Sequence, residues 1–373
     1  MTVENLNDRS KSLDIFRGLA IAAMIVVNNQ GDWTAVYRPL RHAVWHGFAP
    51  ADMIYPAFLF IAGISLYYYL NSAIEKGFGR PKAYALLLSR TLVLILLCLS
   101  LNIPFDLHIS DMRFPGVLQR IALCLTISAL PVLFFRPSGV FISAIAFSAL
   151  YWIATCLIAV PGTFAGDLTA NGSLAGYIDS ALLGPHRYRY GSVPEYDPEG
   201  ILSTMGAIST TLLGSSFGPI LRSDASWPGK IIRIAIPGAL LIIMGLATSE
   251  IVPLNKHLWT PTYVALTAGI SCLTLSLLCF IADYKGQGRF FGFFTALGMS
   301  PLIIYYLSSL AGKISVNLKL STGPDGVTVT LKQHFFTITS GLVPGPAGSL
   351  LYSLFFLMIC VAIAVAIRHI RKY

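Results

Sequence analysis

The sequence predicts an all-α fold: a polytopic membrane helix bundle with about ten transmembrane helices and both termini in the cytoplasm. The first observation behind this prediction is composition. The mean hydropathy is +0.69, and 55% of the 373 residues are hydrophobic while only 12% are charged, whereas soluble domains carry about 25% charged residues. The second observation is length, because apolar runs of about 20 residues recur along the chain, enough to cross a bilayer as helices.

Ten apolar runs are the predicted spans. They cover residues 13–30, 52–70, 84–103, 115–135, 138–160, 199–220, 230–250, 258–281, 291–311 and 348–367. The first run lacks a small-residue cleavage site and is followed by many others, so we interpret it as a span rather than a cleaved signal peptide. No stretch has the composition of a soluble domain, and residues 1–373 are therefore expected to form a single transmembrane domain.

The distribution of charge predicts the orientation and excludes one class of partner. With the N-terminus inside, inside segments carry sixteen Lys and Arg residues and outside segments carry nine, a bias that favours cytoplasmic termini. The net charge of +9 is spread between apolar runs, which argues against nucleic acid and leaves membrane lipid as the surroundings. All six cysteines lie inside apolar runs without metal-ligand spacing, so we expect inert thiols and no metal.

One stretch between the first two spans concentrates polar and aromatic residues. Residues 28–56 hold two histidines, two aspartates, two asparagines and two tryptophans, flanked by strongly apolar runs. Polar groups at the mouth of membrane spans are costly unless they are used. We therefore predict that this stretch, on the outer side, forms the functional site.

The residue types in this stretch indicate acid–base chemistry. His42 can act as a general base because the ordinary histidine pKa, about 6.5, lies near working pH. The amide of Asn28 can donate to an oxyanion or orient an acyl carbonyl, and Asp52 can orient a histidine or cap the second span. The structural alternative places His42 and His46 in an aromatic belt at the membrane interface. A metal site on these histidines lacks a third ligand in register, so we expect none.

Charged groups also fall within spans. Gln119 and Arg120 lie in the fourth span, where an arginine should face the bundle interior and pair with a carboxylate or with an anionic ligand such as phosphate. A buried structural ion pair is the alternative. Asp14 and Arg17 are expected to pair with each other at the start of the first span.

Two further features concern irregular backbone. The segment Gly298–Pro301 interrupts the ninth apolar run, which predicts either a plain kink or a break that lines a cavity. The outside loops 161–198 and 312–347 show no clear structural pattern, and long loops of this kind are often functional.

Five motifs follow one another across nearly the whole chain. They are S-L-D-I-F-R-G at 12–18 with V-N at 27–28 and H-A-V-W-H-G at 42–47, R-F-P-G-V-L-Q-R at 113–120, Y-D-P-E-G at 196–200, P-L-N-K-H-L-W-T at 253–260 and G-M-S-P at 298–301. In this order they resemble the heparan-alpha-glucosaminide N-acetyltransferase family, part of a wider transmembrane acyltransferase group. The order of the motifs, rather than any one of them, makes the resemblance specific.

The resemblance implies an enzyme that uses cytosolic acetyl-CoA as co-substrate to acetylate the amine of a glucosamine-type sugar on the extracytoplasmic side. His42 matches the family's active-site histidine, and Asn28 matches its neighbouring asparagine. Resemblance to bacterial members implies the bacterial inner membrane, and it suggests a homodimer. The further residues expected to contact the acceptor or acetyl-CoA are Trp45, His46, Asp52, Gln119, Arg120, Asn255, Lys256 and Trp259.

Several alternatives stay open. The family pattern has asparagine at position 46, so His46 is a second candidate base, and the acceptor is an amino sugar of unknown identity from an envelope, surface or imported glycan. We favour direct transfer with His42 as base over an acetyl-histidine intermediate, which would be unstable at a wet membrane face. The alternative function is an amino-sugar transporter, although transporters place polar clusters at the midplane. A further alternative is an O-acyltransferase.

Overall fold

The computed structural model describes residues 10–103, 110, 112–188, 196–322 and 328–370, which form thirteen α-helices and a two-stranded antiparallel sheet. The elements are α1 (Lys11–Asn28), α2 (Ile54–Glu75), α3 (Arg80–Asn102), α4 (Val117–Phe134), α5 (Pro137–Leu157), α6 (Leu174–Leu183), α7 (Thr204–Arg222), α8 (Trp227–Ala247), α9 (Pro261–Leu278), α10 (Gly292–Gly298), α11 (Pro301–Asn317), β1 (Lys319–Thr322), β2 (Thr328–Thr330), α12 (Leu331–Leu342) and α13 (Pro346–Ile370).

Each of the ten predicted spans contains a helix, but not every one is apolar enough to count as a span by composition. Among the described helices, seven meet that test, and a bent pair brings the number to eight. Helix α1 falls outside the set because its first two turns carry Lys11, Asp14 and Arg17. Helix α7 falls outside because serine, threonine and glycine lower its hydropathy. A membrane protein with seven or eight long apolar helices is therefore found, and ten spans stays a prediction.

The two long outside loops contain structure that the sequence pattern did not indicate. The first contains α6, which begins where the hydroxyl of Ser173 accepts the backbone N–H of Gly176. The second contains the β1–β2 hairpin and α12. Helix α12 begins with a reciprocal cap between Thr330 and Gln333. The prediction of loops without clear structure is wrong on this point, and the all-α prediction lacked the hairpin.

The chain divides into two compact units. Within the described residues, the first takes in the chain up to His42, residues Ala49–Tyr55 and the chain from Leu275 onward, and the second takes in Ala43–Phe48 and Pro56–Thr274. The predicted functional stretch therefore contributes residues to both units.

In the first unit, glycines let α1 and α10 pack backbone against backbone. A methyl group added at Gly18 would clash with the carbonyl of Phe294, and one added at Gly298 would clash with the carbonyl of Asp14. Small residues at such contacts are typical of helix packing in membranes. The spacing of α1 and α10 therefore depends on the absence of side chains at both positions.

Acidic residues fix the start of α1. The carboxylate of Asp283 accepts the backbone N–H of Lys11 and the hydroxyl of Ser10, 3.1 and 2.9 Å away. Inside the helix, the predicted pair of Asp14 and Arg17 is confirmed, with 2.7 Å between Oδ1 and Nη1. Negative charge at a helix N-terminus is favourable because it meets the positive end of the helix dipole.

In the second unit, α7 is the buried central helix. Gly63 of α2 and Gly214 of α7 have no room for a methyl group, which would meet the carbonyls of Thr211 and Phe60 respectively. Helices α2, α3 and α4 add an apolar cluster. Its buried members are Leu66, Leu70, Ala73, Ala83, Leu87, Ala129 and Leu133.

The predicted interruption of the ninth run is confirmed. Helical residues Gln287–Gly298 and Pro301–Asn317 are bent by 63° across a short break. Proline at the start of α11 has no N–H to continue the preceding helix, which explains why the helix stops here. The break lies in the first unit.

Candidate functional site

The first group of site residues pairs His42 with Asp52, both in the first unit. The two residues belong to the connection between α1 and α2, and Asp52 lies in a 3₁₀ turn, Pro50–Met53, that leads into α2. His42 Nδ1 lies 2.8 Å from Asp52 Oδ1. The Asp52 side chain is fully buried, whereas 38% of the His42 side chain is exposed. The second carboxylate oxygen of Asp52, Oδ2, accepts the backbone N–H of Ala49 at 3.0 Å. Asp52 therefore both holds the turn and contacts the histidine.

This contact determines which ring nitrogen of His42 can take a proton. A carboxylate can only accept, so the neutral imidazole donates from Nδ1 and carries its lone pair on Nε2. A histidine oriented by a buried carboxylate is the arrangement found in general-base catalysis. Because the His42 side chain is partly exposed, its ring is in contact with solvent.

Asn28 is the last residue of α1 and is exposed. The next two amides in the chain are used locally: Asn29 donates to the carbonyl of Ile25, and Gln30 donates to the carbonyl of Val26. Within the described ranges, the side chain of Asn28 makes no hydrogen bond. Its amide is therefore available to an incoming group.

The second group lies in the second unit and pairs His46 with Asn255. Asn255 is fully buried, and its Oδ1 accepts the backbone N–H of Leu258 at 2.8 Å. This hydrogen bond orients the amide, so Nδ2 faces His46 Nδ1, 3.3 Å away. The amide donates, and a neutral His46 must then carry its proton on Nε2. Although the residue is exposed overall, partial burial of the ring lowers the pKa of His46 below its ordinary value of 6.5, which favours this neutral form.

The loop that holds Asn255 is fixed by its own hydrogen bonds. The hydroxyl of Thr260 accepts the N–H of Asn255 and donates to the carbonyl of Pro253. Trp259 takes a left-handed backbone conformation with φ of 55°, which is uncommon outside glycine. Lys256 is half-exposed in the same loop. The structure thus gives the predicted residues Asn255, Lys256 and Trp259 a common, well-anchored segment.

Trp45 is the centre of an aromatic cluster that includes two residues the sequence analysis did not single out. Its indole N–H donates to the carbonyl of Leu168 at 2.8 Å. The ring stacks on His257 with 5.4 Å between centroids, and Tyr196 meets its edge at 4.9 Å. Both His257 and Tyr196 occur in the quoted motifs, P-L-N-K-H-L-W-T and Y-D-P-E-G, and that position was the signal that could have identified them.

Arg120 and Trp259 are brought together in the second unit. Arg120 is 1% exposed, and its guanidinium lies 5.2 Å from the centre of the Trp259 indole. Its Nη2 donates to the carbonyl of Gly200 and to the hydroxyl of Ser203. Within the described part of the chain, no carboxylate lies at ion-pair distance from Arg120. Gln119, one residue earlier, is 8% exposed. The predicted structural ion pair at Arg120 is therefore not the arrangement observed.

A second arginine, Arg113, does form ion pairs that the sequence analysis missed. Its guanidinium contacts the carboxylates of Asp197 and Glu199 in the Y-D-P-E-G turn. Burial lowers the pKa of Arg113, but the two carboxylates outweigh it, and the net pKa is raised. Arg113 and Arg120 thus hold the same turn. Arg113 contacts the two carboxylates of the turn, and Arg120 donates to its backbone carbonyl at Gly200.

Across the described residues, no group of three or more His, Cys, Asp or Glu side chains is arranged to hold a metal ion. All six cysteines are free thiols, and five of them are buried.

Comparison with known proteins identifies relatives of this chain. Residues 9–172 match the family model described as "Heparan-alpha-glucosaminide N-acetyltransferase, catalytic". The heparan-alpha-glucosaminide N-acetyltransferase of Homo sapiens is 29% identical, over 80% of this chain and 52% of that protein. The Mus musculus protein of the same name is 27% identical, over 80% of this chain and 53% of its own length.

The chain thus spans about half the length of the curated relatives that it matches. The matched region of the family model contains Asn28, His42, Trp45, His46 and Asp52. The resemblance carried by the five motifs is confirmed: residues 9–172 match that family's catalytic model, and the chain is similar to the heparan-alpha-glucosaminide N-acetyltransferases of two mammals.

Proposed function

We propose that this protein transfers an acetyl group from cytosolic acetyl-CoA to the amine of a glucosamine-type sugar on the extracytoplasmic side, with His42 as general base. The observation that carries the proposal is the 2.8 Å contact between His42 Nδ1 and the fully buried carboxylate of Asp52. The similarity to N-acetyltransferases supports the reaction class.

The chemistry follows from the proton positions. The neutral amine of the sugar attacks the thioester carbon, and a nitrogen–carbon bond forms as the carbonyl oxygen gains negative charge. His42 Nε2 takes the proton released by the nitrogen, while Asp52 stabilises the imidazolium through Nδ1–H. The carbon–sulfur bond then breaks, and the thiolate of CoA leaves and takes up the proton. No covalent bond to the histidine is required.

We assign Asn28 the role of hydrogen-bond donor to the acyl oxygen. Its amide is exposed at the end of α1 and has no hydrogen bond within the described ranges. A hydrogen-bond donor to the acyl oxygen stabilises the oxyanion, and removing one such donor typically slows turnover by about a hundred- to a thousandfold. On this assignment, Asn28→Ala slows acetyl transfer while leaving the structure intact.

The second candidate function is transport of the amino sugar. The observation that favours it is the broken helix pair α10–α11, bent by 63°, because broken helices line substrate sites in many transporters. A transporter would move the sugar across the membrane unchanged.

Both candidates are tested in one experiment on proteoliposomes. Labelled acetyl-CoA is placed on one side and glucosamine on the other, and acetylated and unmodified sugar are quantified on each side. Acetylated glucosamine on the side opposite to acetyl-CoA supports the transferase. Accumulation of unmodified glucosamine across the membrane without acetylation contradicts the transferase and favours the transporter. N-acetylglucosamine as an acceptor tests the O-acyltransferase alternative, because its amine is blocked.

A further inference from the structure

The start of α4 contains buried hydrogen-bonding groups without partners. Within the described residues, both amide atoms of Gln119 and two nitrogens of Arg120, Nε and Nη1, are buried without a hydrogen bond. The side chains are only 8% and 1% exposed. Leaving buried polar groups unpaired destabilises the folded protein, and charged groups do so more strongly. Natural structures rarely retain such a cost unless something else uses the groups.

The Gln119 side chain packs closely against the backbone of Gly116. A methyl group added at Gly116 would lie 2.8 Å from Gln119 Oε1 and 2.7 Å from the sulfur of Cys98. The position of the Gln119 amide therefore depends on Gly116 having no side chain.

The charge of Arg120 has no direct ion pair within the described residues, and its electrostatic interaction with the nearby Asp179 is weak. The buried carboxylate of Asp179 interacts electrostatically with Arg120, but its two oxygens accept the backbone N–H groups of Asp197 and Ile201. Burial raises the pKa of Asp179 to about 6, although those two N–H groups oppose the shift. The site therefore offers unused hydrogen-bond donors on both residues and an unused acceptor, Gln119 Oε1. A neutral amide fits this combination better than a phosphate, which has no N–H to donate to Gln119 and whose charge would have to be desolvated.

We infer that Gln119 and Arg120 bind the amide and carbonyl groups of the pantetheine arm of the acyl donor. This inference rests on the proposed function and names the part of acetyl-CoA that the site recognises. The Gln119 amide has both a donor and an acceptor to offer, which is the complement of a secondary amide. The remaining N–H groups of Arg120 donate to a carbonyl oxygen. The pantetheine arm carries secondary amides and a thioester and is otherwise apolar, which suits a site within a membrane span.

Fragments of the donor test the inference directly. The probes are acetyl-CoA, S-acetyl-pantetheine, which lacks phosphate and nucleotide, and adenosine 3′,5′-bisphosphate, which lacks the arm. Binding of each is measured to the whole protein in detergent, for wild type, Gln119→Met and Arg120→Lys. We expect both variants to weaken acetyl-CoA and S-acetyl-pantetheine by the same factor, about 5- to 50-fold, and to leave adenosine 3′,5′-bisphosphate unchanged.

The unfolding temperature without ligand supplies a second readout. Gln119→Met removes an unpaired amide, so it should maintain or raise the unfolding temperature while weakening binding. Gln30→Met is the matched control, because Gln30 is also fully buried but its amide is bonded to the carbonyl of Val26 and to the hydroxyl of Ser349. The control should lower the unfolding temperature.

Three outcomes would overturn the inference. Loss of affinity for adenosine 3′,5′-bisphosphate with no loss for S-acetyl-pantetheine would assign the site to phosphate. Unchanged binding of every probe in both variants, with wild type binding acetyl-CoA, would leave Gln119 and Arg120 without a role in the donor site. Failure of wild type to bind acetyl-CoA at all would remove the proposed function and this inference with it.

Discussion

His42 and His46 are separated by three residues, yet their Nδ1 atoms face partners of opposite character. His42 faces the carboxylate of Asp52, which accepts, and His46 faces the amide of Asn255, which donates. The neutral rings therefore place their protons on different nitrogens: His42 presents a lone pair on Nε2, and His46 presents an N–H there. On this difference rests our proposal that His42 is the base and that His46 is a hydrogen-bond donor.

Asp52→Asn should leave the fold intact and slow turnover sharply. An asparagine at this position can donate to Nδ1, which moves the ring proton of His42 to Nε2 and removes the base. We expect kcat to fall by about a hundredfold or more, with little change in KM. Asp32→Asn is the matched control, because Asp32 is in the same connection and its carboxylate accepts from the backbone and hydroxyl of Thr34. Equal losses in the two variants would contradict the role given to Asp52.

The lowered pKa of His46 predicts how stability depends on pH. As pH falls through 6.5, the ordinary pKa of His46, the unfolded chain takes up a proton that the folded protein resists. The stabilisation that His46 contributes is therefore fully present above pH 6.5, and it is lost as the pH falls through the pKa of His46 in the folded protein. We expect the stability of wild type relative to His46→Gln to decrease between about pH 7 and pH 5, measured by unfolding temperature.

The comparison with His46→Gln is needed because Asp179 titrates in the opposite sense. Its raised pKa, about 6, makes the folded state gain stability as pH falls through 6 towards 3.8, the ordinary value. Wild type and His46→Gln both contain Asp179, so its contribution cancels when their stabilities are subtracted. A difference between wild type and His46→Gln that does not change with pH would contradict the burial effect on His46.

At the scale of elements, the sequence predicted the long helices and missed the short ones. Long apolar runs made all ten predicted spans helical, whereas α6 and α12 have 10 and 12 residues and are marked mainly by their caps. The hairpin between α11 and α12 has strands of only four and three residues, too short for an alternating pattern to stand out. Thr330 and Gln333, three positions apart, were a readable capping signal.

Gly18→Ala should destabilise the contact between α1 and α10. The added methyl group has no room against the carbonyl of Phe294, and overpacking of this kind costs about 1–3 kcal/mol. We expect a lower unfolding temperature and weaker activity. Gly292→Ala is the matched control on α10, because a methyl group there meets nothing within 4 Å. If Gly292→Ala destabilised the protein as much as Gly18→Ala, the packing argument would be wrong.

Across the whole molecule, contacts between residues close in the sequence could be predicted, whereas contacts between residues far apart in the sequence could not. From the sequence, Asp52 was predicted either to orient a histidine or to cap the second span, and both roles involve residues close to it in the chain. The pairing of His46 with Asn255 joins residues 209 positions apart, and no local pattern indicates it. The turn held by Arg113 and Arg120 is a contact of the same kind. The motifs identified the segments that form the candidate site. Which residues contact each other across those segments could be seen only in the folded structure.

The predicted orientation is testable with single cysteines. We expect Arg38→Cys, in the connection after α1, to react with a membrane-impermeant maleimide added outside intact cells. Lys76→Cys, after α2, should react only once the membrane is opened. Both positions are exposed, so accessibility from one side is the property compared. Labelling of position 76 from outside, or of position 38 only in opened cells, would reverse the orientation.

The most direct test of the central claim is acetyl transfer from labelled acetyl-CoA to glucosamine by purified wild type, His42→Ala and His46→Ala. Loss of a general base typically slows a reaction by about a hundred- to ten-thousandfold. We predict a loss of that size in His42→Ala and a smaller one, within about tenfold, in His46→Ala. Full activity in His42→Ala with loss in His46→Ala would contradict the assignment of His42 as the base.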